Sequence, residues 1–124
     1  MAKLSFGEEE KGLIERLEEY GLHKDAARAL VFIASCEEAT SREIENGTRL
    51  RQPEASIATK ILRDKGWVEK RNVNKEGKGR PVHIYSLNKP MKSIMEELEE
   101  DQKKLIQEME ENMSEIKSIV DSLY

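Results

Sequence analysis

A chain of 124 residues has room for one domain, or for a small domain with an appended helix, and 37% hydrophobic against 37% charged residues implies a small core beneath much solvated surface. The net charge of −4 excludes a uniformly basic nucleic-acid binder, although the charges are segregated along the chain. No apolar run approaches the ~20 residues that span a bilayer, the first ten residues lack the apolar core of a signal peptide, and one cysteine, Cys36, forms no disulfide within the chain. The expectation is therefore a cytoplasmic protein without membrane contact.

Residues 8–20 read as an acidic amphipathic helix with Leu13, Ile14, Leu17 and Tyr20 on one side, closed by Gly21. Lys24–Cys36 follows as a second helix that is apolar almost all round, as the buried centre of a domain is. Within it Cys36 is expected to be a buried, inert thiol. Thr40-Ser-Arg-Glu43 is a capping-box pattern, opening a short helix that contains Ile44 and stops near Asn46-Gly47.

About five residues later a third amphipathic stretch begins. Gln52 suits its N-cap, Pro53 its first helical position and Gly66 the position after its end. Ala55, Ala58, Ile61 and Leu62, with Ile57 beside them, supply the apolar side. Ser56, Thr59, Lys60 and Arg63 supply short polar groups and long cations on the other. Two helices joined by a tight turn, the second with a polar and cationic face, match a helix-turn-helix.

After Gly66 the period changes from helix to strand. Trp67–Val73 and Val82–Leu87 form a β-hairpin around the basic tip Asn74-Lys-Glu-Gly-Lys-Gly-Arg-Pro81. Trp67 and Tyr85 are placed in the core beneath it. A hairpin directly after such a helix makes a winged helix. The cations follow this division: residues 40–90 hold 12 Lys/Arg and 6 Asp/Glu, whereas residues 1–39 hold 5 and 9 and residues 91–124 hold 4 and 10.

Residues 90–124 contain no Gly or Pro after Pro90, which allows one helix of ~34 residues and ~50 Å. A heptad frame places Met95, Gln102, Met109, Ile116 and Leu123 at a, and Met91, Leu98, Leu105, Asn112 and Ile119 at d. Ile106, Met113 and Val120 widen the stripe. So small a domain leaves much of it uncovered, and a second copy of the chain is the simplest partner. The division expected is an N-terminal helix (1–20), a winged helix-turn-helix domain (21–89) and a dimerisation helix (90–124). Leu98, Leu105, Met109, Ile116, Ile119 and Leu123 form the dimer seam. The alternative is a helix folded back onto residues 8–20.

The segments Gly21-Leu-His-Lys-Asp-Ala-Ala-Arg28, Glu38-Ala-Thr-Ser-Arg-Glu-Ile44 and Leu50 through Gly66-Trp-Val-Glu-Lys-Arg71 resemble the DNA-binding domain of archaeal TrmB-like transcriptional regulators, within the wider ArsR/MarR winged-helix group. The resemblance covers roughly residues 20–90. It implies a recognition helix in the major groove and a wing on flanking DNA. It gives base-contact roles to Gln52, Ser56, Thr59 and Lys60, and phosphate or wing roles to Arg63, Lys75, Lys78 and Arg80. The sugar-binding domain that TrmB-like proteins often carry has no counterpart in residues 90–124. The Cys, His and carboxylate clusters of ArsR-type metal sensors have none either, so neither sugar nor metal sensing is implied.

The chemistry of the side chains agrees with that implication. Lys60, Arg63, Lys75, Lys78 and Arg80 offer charge to phosphates, Gln52 suits adenine, Thr59 a thymine methyl, and Arg51 either task. Glu54 is read as charge at a helix N-terminus. His23 and His83 lie far apart and have no ligand at metal-binding spacing, and Gly77-x-Gly79 lacks the context of a phosphate loop. The expectation is no enzyme and no cofactor. It is a homodimeric, sequence-specific regulator reading double-stranded DNA with helix 53–65 and wing 74–81. The alternatives are a winged-helix adaptor for another protein and a non-specific nucleoid-associated protein.

Overall fold

The computed structural model describes residues 6–73 and 81–124. Its elements run α1 (Glu8–Glu19), α2 (Lys24–Ala34), β1 (Ala39–Thr40), α3 (Ser41–Thr48), α4 (Gln52–Asp64), β2 (Val68–Val73), β3 (Val82–Leu87) and α5 (Met91–Leu123). The chain divides into two compact units, Met1–Met91 and Lys92–Tyr124. No helix among the described residues is long and apolar enough to cross a membrane.

The first unit is built around α2, which packs against α1, α3, α4 and β3. Ala26, Ala27, Ala29, Leu30, Val31, Phe32 and Ile33 are all buried, so a helix that is apolar on most sides takes the central place. The His23 ring caps its start, Nδ1 accepting the Asp25 N–H at 3.1 Å. α2 ends at Ala34, with Ser35 as its cap, two residues short of what the sequence suggested, which leaves Cys36 half-buried beyond the helix rather than in the core.

α1 contributes Ile14 and Leu17 to this core, whereas Leu13 and Tyr20, expected on the same stripe, are exposed. Gly21 does end the helix, at φ 116°, with its N–H on the Glu18 carbonyl and the Leu22 N–H on the Leu17 carbonyl. That pair of bonds satisfies two carbonyls the helix would leave open and returns Leu22 to the core.

The capping box at α3 is formed in full: Thr40 Oγ1 accepts the Glu43 N–H at 3.1 Å and a Glu43 carboxylate oxygen accepts the Thr40 N–H at 2.9 Å. α3 does not stop at Gly47, however. It continues to Thr48, and the left-handed residue is Arg49 at φ 61°, ψ 25°. Gly47 has a packing role instead, since a Cβ built on it would lie 2.0 Å from the Phe32 ring. Thr48 ties the turn together, its hydroxyl donating to the Ile44 carbonyl at 2.6 Å and accepting the Leu50 N–H at 3.3 Å. The Arg28 guanidinium donates to the Thr48 carbonyl from α2.

The hairpin is antiparallel in the register Val68↔Leu87 to Val73↔Val82. A third strand, β1, was not expected from sequence: two residues, Ala39 and Thr40, pair with Tyr85 and Ile84 and give the order β1-β3-β2. The result is a winged helix, α2, α3 and α4 with a small antiparallel sheet, to which α1 is added. Trp67 and Tyr85 are buried beneath the hairpin.

α5 runs unbroken for 33 residues, all but Met91 in the second unit. Ile94 and Leu98 are buried, while Leu105, Ile106, Met109, Met113, Ile116, Ile119, Val120 and Leu123 are exposed.

Two glycine replacements test this packing. Gly47→Ala drives a methyl into Phe32 and should cost about 1–3 kcal/mol, lowering the melting temperature by several degrees. Gly12→Ala, in the interior of α1 with nothing within 4 Å of the new Cβ, should stabilise by about 0.5–1 kcal/mol. Equal melting temperatures for the two variants would contradict the close approach at Gly47.

Candidate nucleic-acid interface

α4 is fixed at both ends by local chemistry. Its N-cap is Arg51, one residue earlier than expected, so Gln52 and Pro53 occupy the first turn, where no intrahelical donor is required. A Glu54 carboxylate oxygen accepts the Arg51 N–H at 2.9 Å and lies 3.5 Å from the Arg51 guanidinium. The hydrogen bond to the Arg51 backbone, and then the Arg51 charge, hold the Glu54 carboxyl below the usual carboxylate range. Glu54 is thus occupied as a capping group. At the other end Gly66 adopts φ 78°, with its N–H on the Arg63 carbonyl and the Trp67 N–H on the Leu62 carbonyl. This turn carries the chain directly into β2.

Between the caps the buried residues are Ala55, Ala58, Thr59 and Leu62, at i, i+3, i+4 and i+7. The face is rotated from the one expected. Ile57, two residues and so about 200° round from Ala55, points outward and is 56% exposed. Thr59, expected on the exposed face, is 3% exposed. Its hydroxyl donates to the Ser56 carbonyl at 3.1 Å, which allows a polar side chain to be buried there. The outward face is Gln52, Pro53, Ser56, Ile57 and Lys60, with Arg51 exposed at its head.

Lys60 reaches Asp64 at 2.9 Å in an exposed i,i+4 pair. Such pairs are worth only a few tenths of a kcal/mol and are exchanged easily for a stronger anion. Arg63 is half-buried, with a buried Nε that has no hydrogen-bond partner among the described residues.

The hairpin stands beside this face. Alternation puts Val68, Lys70 and Asn72 of β2 on the same side as Leu87, Tyr85 and His83 of β3. Tyr85 is buried, while Lys70 is exposed and His83 half-buried. His83 Nδ1 lies 2.6 Å from Asn72 Oδ1 in a directly opposed pair. Gln52, Ser56, Thr59 and Arg63 from α4, Ser41 and Glu45 from α3, and Lys70, His83 and Tyr85 from the hairpin enclose a cleft of about 170 Å³. The structure therefore brings Gln52, Ser56 and Arg63 to one cleft, adds Lys70 and His83 to it, and puts Thr59 at its buried side. Arg71 points elsewhere and pairs with Glu38. Lys75, Lys78 and Arg80 lie outside the described residues.

In α5 the seam expected for a partner helix is exposed at Leu105, Met109, Ile116, Ile119 and Leu123. Leu98, the sixth residue assigned to it, is 6% exposed and adds little to that surface.

No protein-family model matches the chain, and no curated protein does. Solved structures do. TrmBL2, an archaeal chromatin protein whose structure is described as showing a novel mode of DNA binding, aligns with a TM-score of 0.69 at 19% identity, over 92% of this chain and 41% of its own. This chain thus spans about two fifths of that protein. The Multiple Antibiotic Resistance Repressor, MarR, aligns with a TM-score of 0.52 at 18% identity, over 93% of this chain and 86% of its own. A MarR-family transcriptional regulator from Silicibacter pomeroyi gives 0.52 at 15% identity, over 93% and 82%. The fold is thus one shared with transcriptional regulators.

The cap of α4 makes a pH-dependent contribution to stability whose sign follows from Glu54. Its folded carboxyl titrates below its unfolded value, so the contribution is present above that value and is lost as pH falls through the folded one. Glu54→Gln keeps a capping acceptor without the charge, and should flatten the decline in melting temperature below about pH 5. An unchanged pH profile would assign Glu54 no such role.

Proposed function

We propose that this protein is a sequence-specific DNA-binding transcriptional regulator acting in the cytoplasm as a homodimer. α4 enters the major groove, the hairpin lies on flanking DNA, and α5 joins the two copies. The observation that carries the reading is the outward face of α4: polar side chains, a lysine and one isoleucine, unobstructed, on a rod whose opposite face is buried. Helices of this kind present donors and acceptors to base edges while cations at the margin hold phosphates. Gln52 and Ser56 are assigned to bases. Lys60, Arg51, Arg63 and Lys70 are assigned to phosphates, with the wing cations Lys75, Lys78 and Arg80. Thr59 acts from beneath, by holding the helix against the core.

The exposed stripe of α5 supports self-association, since a row of apolar side chains along several turns is stable only against another such row. Two copies related by a two-fold axis would set their recognition helices about 34 Å apart, on a pseudo-palindromic site. A second reading is favoured by one finding, the likeness to a chromatin protein: binding along DNA with little regard to sequence.

Fluorescence anisotropy with genomic fragments tests the proposal. Affinity should fall with salt at a log–log slope of about −0.9 for each phosphate neutralised. Lys60→Ala should weaken every sequence and reduce the slope by about one. Binding that ignores salt, or none, overturns the proposal; equal competition by random DNA favours the chromatin-type reading over it. For assembly, Ile116→Glu with Ile119→Glu should give a folded monomer by sedimentation, and an unchanged mass would remove α5 as the interface.

A further inference from the structure

Ile57 is an anomaly on α4. It is 56% exposed on a face otherwise formed by Gln52, Pro53, Ser56 and Lys60, and no other large apolar side chain of α4 is exposed. A β-branched residue is a poorer helix former than Lys, Gln or Ala, and exposure yields no compensating burial. An apolar protein-docking surface would need several such residues in contact, and here there is one. It stands in the N-terminal half of the helix, where recognition helices meet base edges, next to Ser56 and one turn from Pro53 and Lys60.

We infer that Ile57 reads a thymine, packing its branched side chain on the C5-methyl group in the major groove. This inference rests on the DNA-binding reading and deepens it by naming the base and the atom recognised. Thymine is the only base that offers a methyl there, so an aliphatic side chain on this face discriminates by contact rather than by hydrogen bonding. Gln52 and Ser56 supply the hydrogen-bonding part of the same face. The polar residues thus read neighbouring bases by hydrogen bonds while Ile57 selects its own by contact.

The test uses the full chain and a duplex selected from a random pool by the wild-type protein. Each thymine is replaced in turn by deoxyuridine, which removes only the methyl. Replacement at one position per half-site should weaken wild-type binding about three- to five-fold, the worth of one buried methyl. Ile57→Ala should lose a similar factor on the thymine duplex and bind the thymine and uracil duplexes equally. As an exposed position, Ile57 should tolerate alanine without a fall in melting temperature. Wild-type indifference to every replacement overturns the inference, as does an Ile57→Ala protein that keeps the wild-type sensitivity. Both outcomes leave salt-dependent duplex binding intact and so differ from failure of the underlying reading, in which wild-type protein binds no duplex.

Discussion

Phe32 and Gly47 meet where α2 and α3 cross, and the distance between them admits no side chain on the glycine. That contact fixes how α3 lies on the central helix. The turn beyond α3 is then held by Thr48 from within and by Arg28 from α2. With its start so constrained, α4 has one way to seat Ala55, Ala58, Thr59 and Leu62 on the core. The orientation of its outer face is therefore a consequence of packing some way from that face. A non-glycine residue, Arg49, accepts a left-handed conformation at the turn, which ordinary side chains occupy at a cost of about 1 kcal/mol or more.

The two faces of α4 divide the work between stability and chemistry. The buried face consists of small residues and one leucine, so the helix can sit close to α2. The outer face carries little that the fold requires, and is free to be chosen for a ligand. The hairpin extends the same surface: Lys70 and His83 line one cleft with Arg63. Exposed charges farther away than a Debye length, about 8 Å at physiological salt, are largely screened. A chain with a net charge of −4 can for that reason still hold a polyanion through a local cluster.

Much of this was legible in the sequence. The stretch from Ala26 to Ile33, apolar but for Arg28, could only be a centre, the Thr40–Glu43 spacing could only cap a helix, and the break in period after Gly66 marked the hairpin. What was misread follows from single side chains. Gly47 looked like a helix stop, because a glycine required by a neighbour's ring is indistinguishable from one required by φ until the neighbour is known. Ile57 and Thr59 exchanged places, because hydrophobicity alone assigns isoleucine inward, and a threonine that bonds the preceding turn carries no sign of it in the sequence. The N-cap at Arg51 was missed for want of a capping side chain, the bond coming instead from Glu54. β1, two residues long, has too little pattern to detect. His23 showed no partner at metal-binding spacing because its partners are backbone amides.

The central claim, that the outward face of α4 and the adjoining hairpin side form one surface for a duplex, is tested most directly by mapping. Titrating a short DNA duplex into isotope-labelled protein and following backbone amide shifts should move the signals of residues 51–60, Lys70 and His83, and leave those of Glu8–Glu19 in place. Shifts confined to α1 or α5, or none along α4 at saturating duplex, would contradict it.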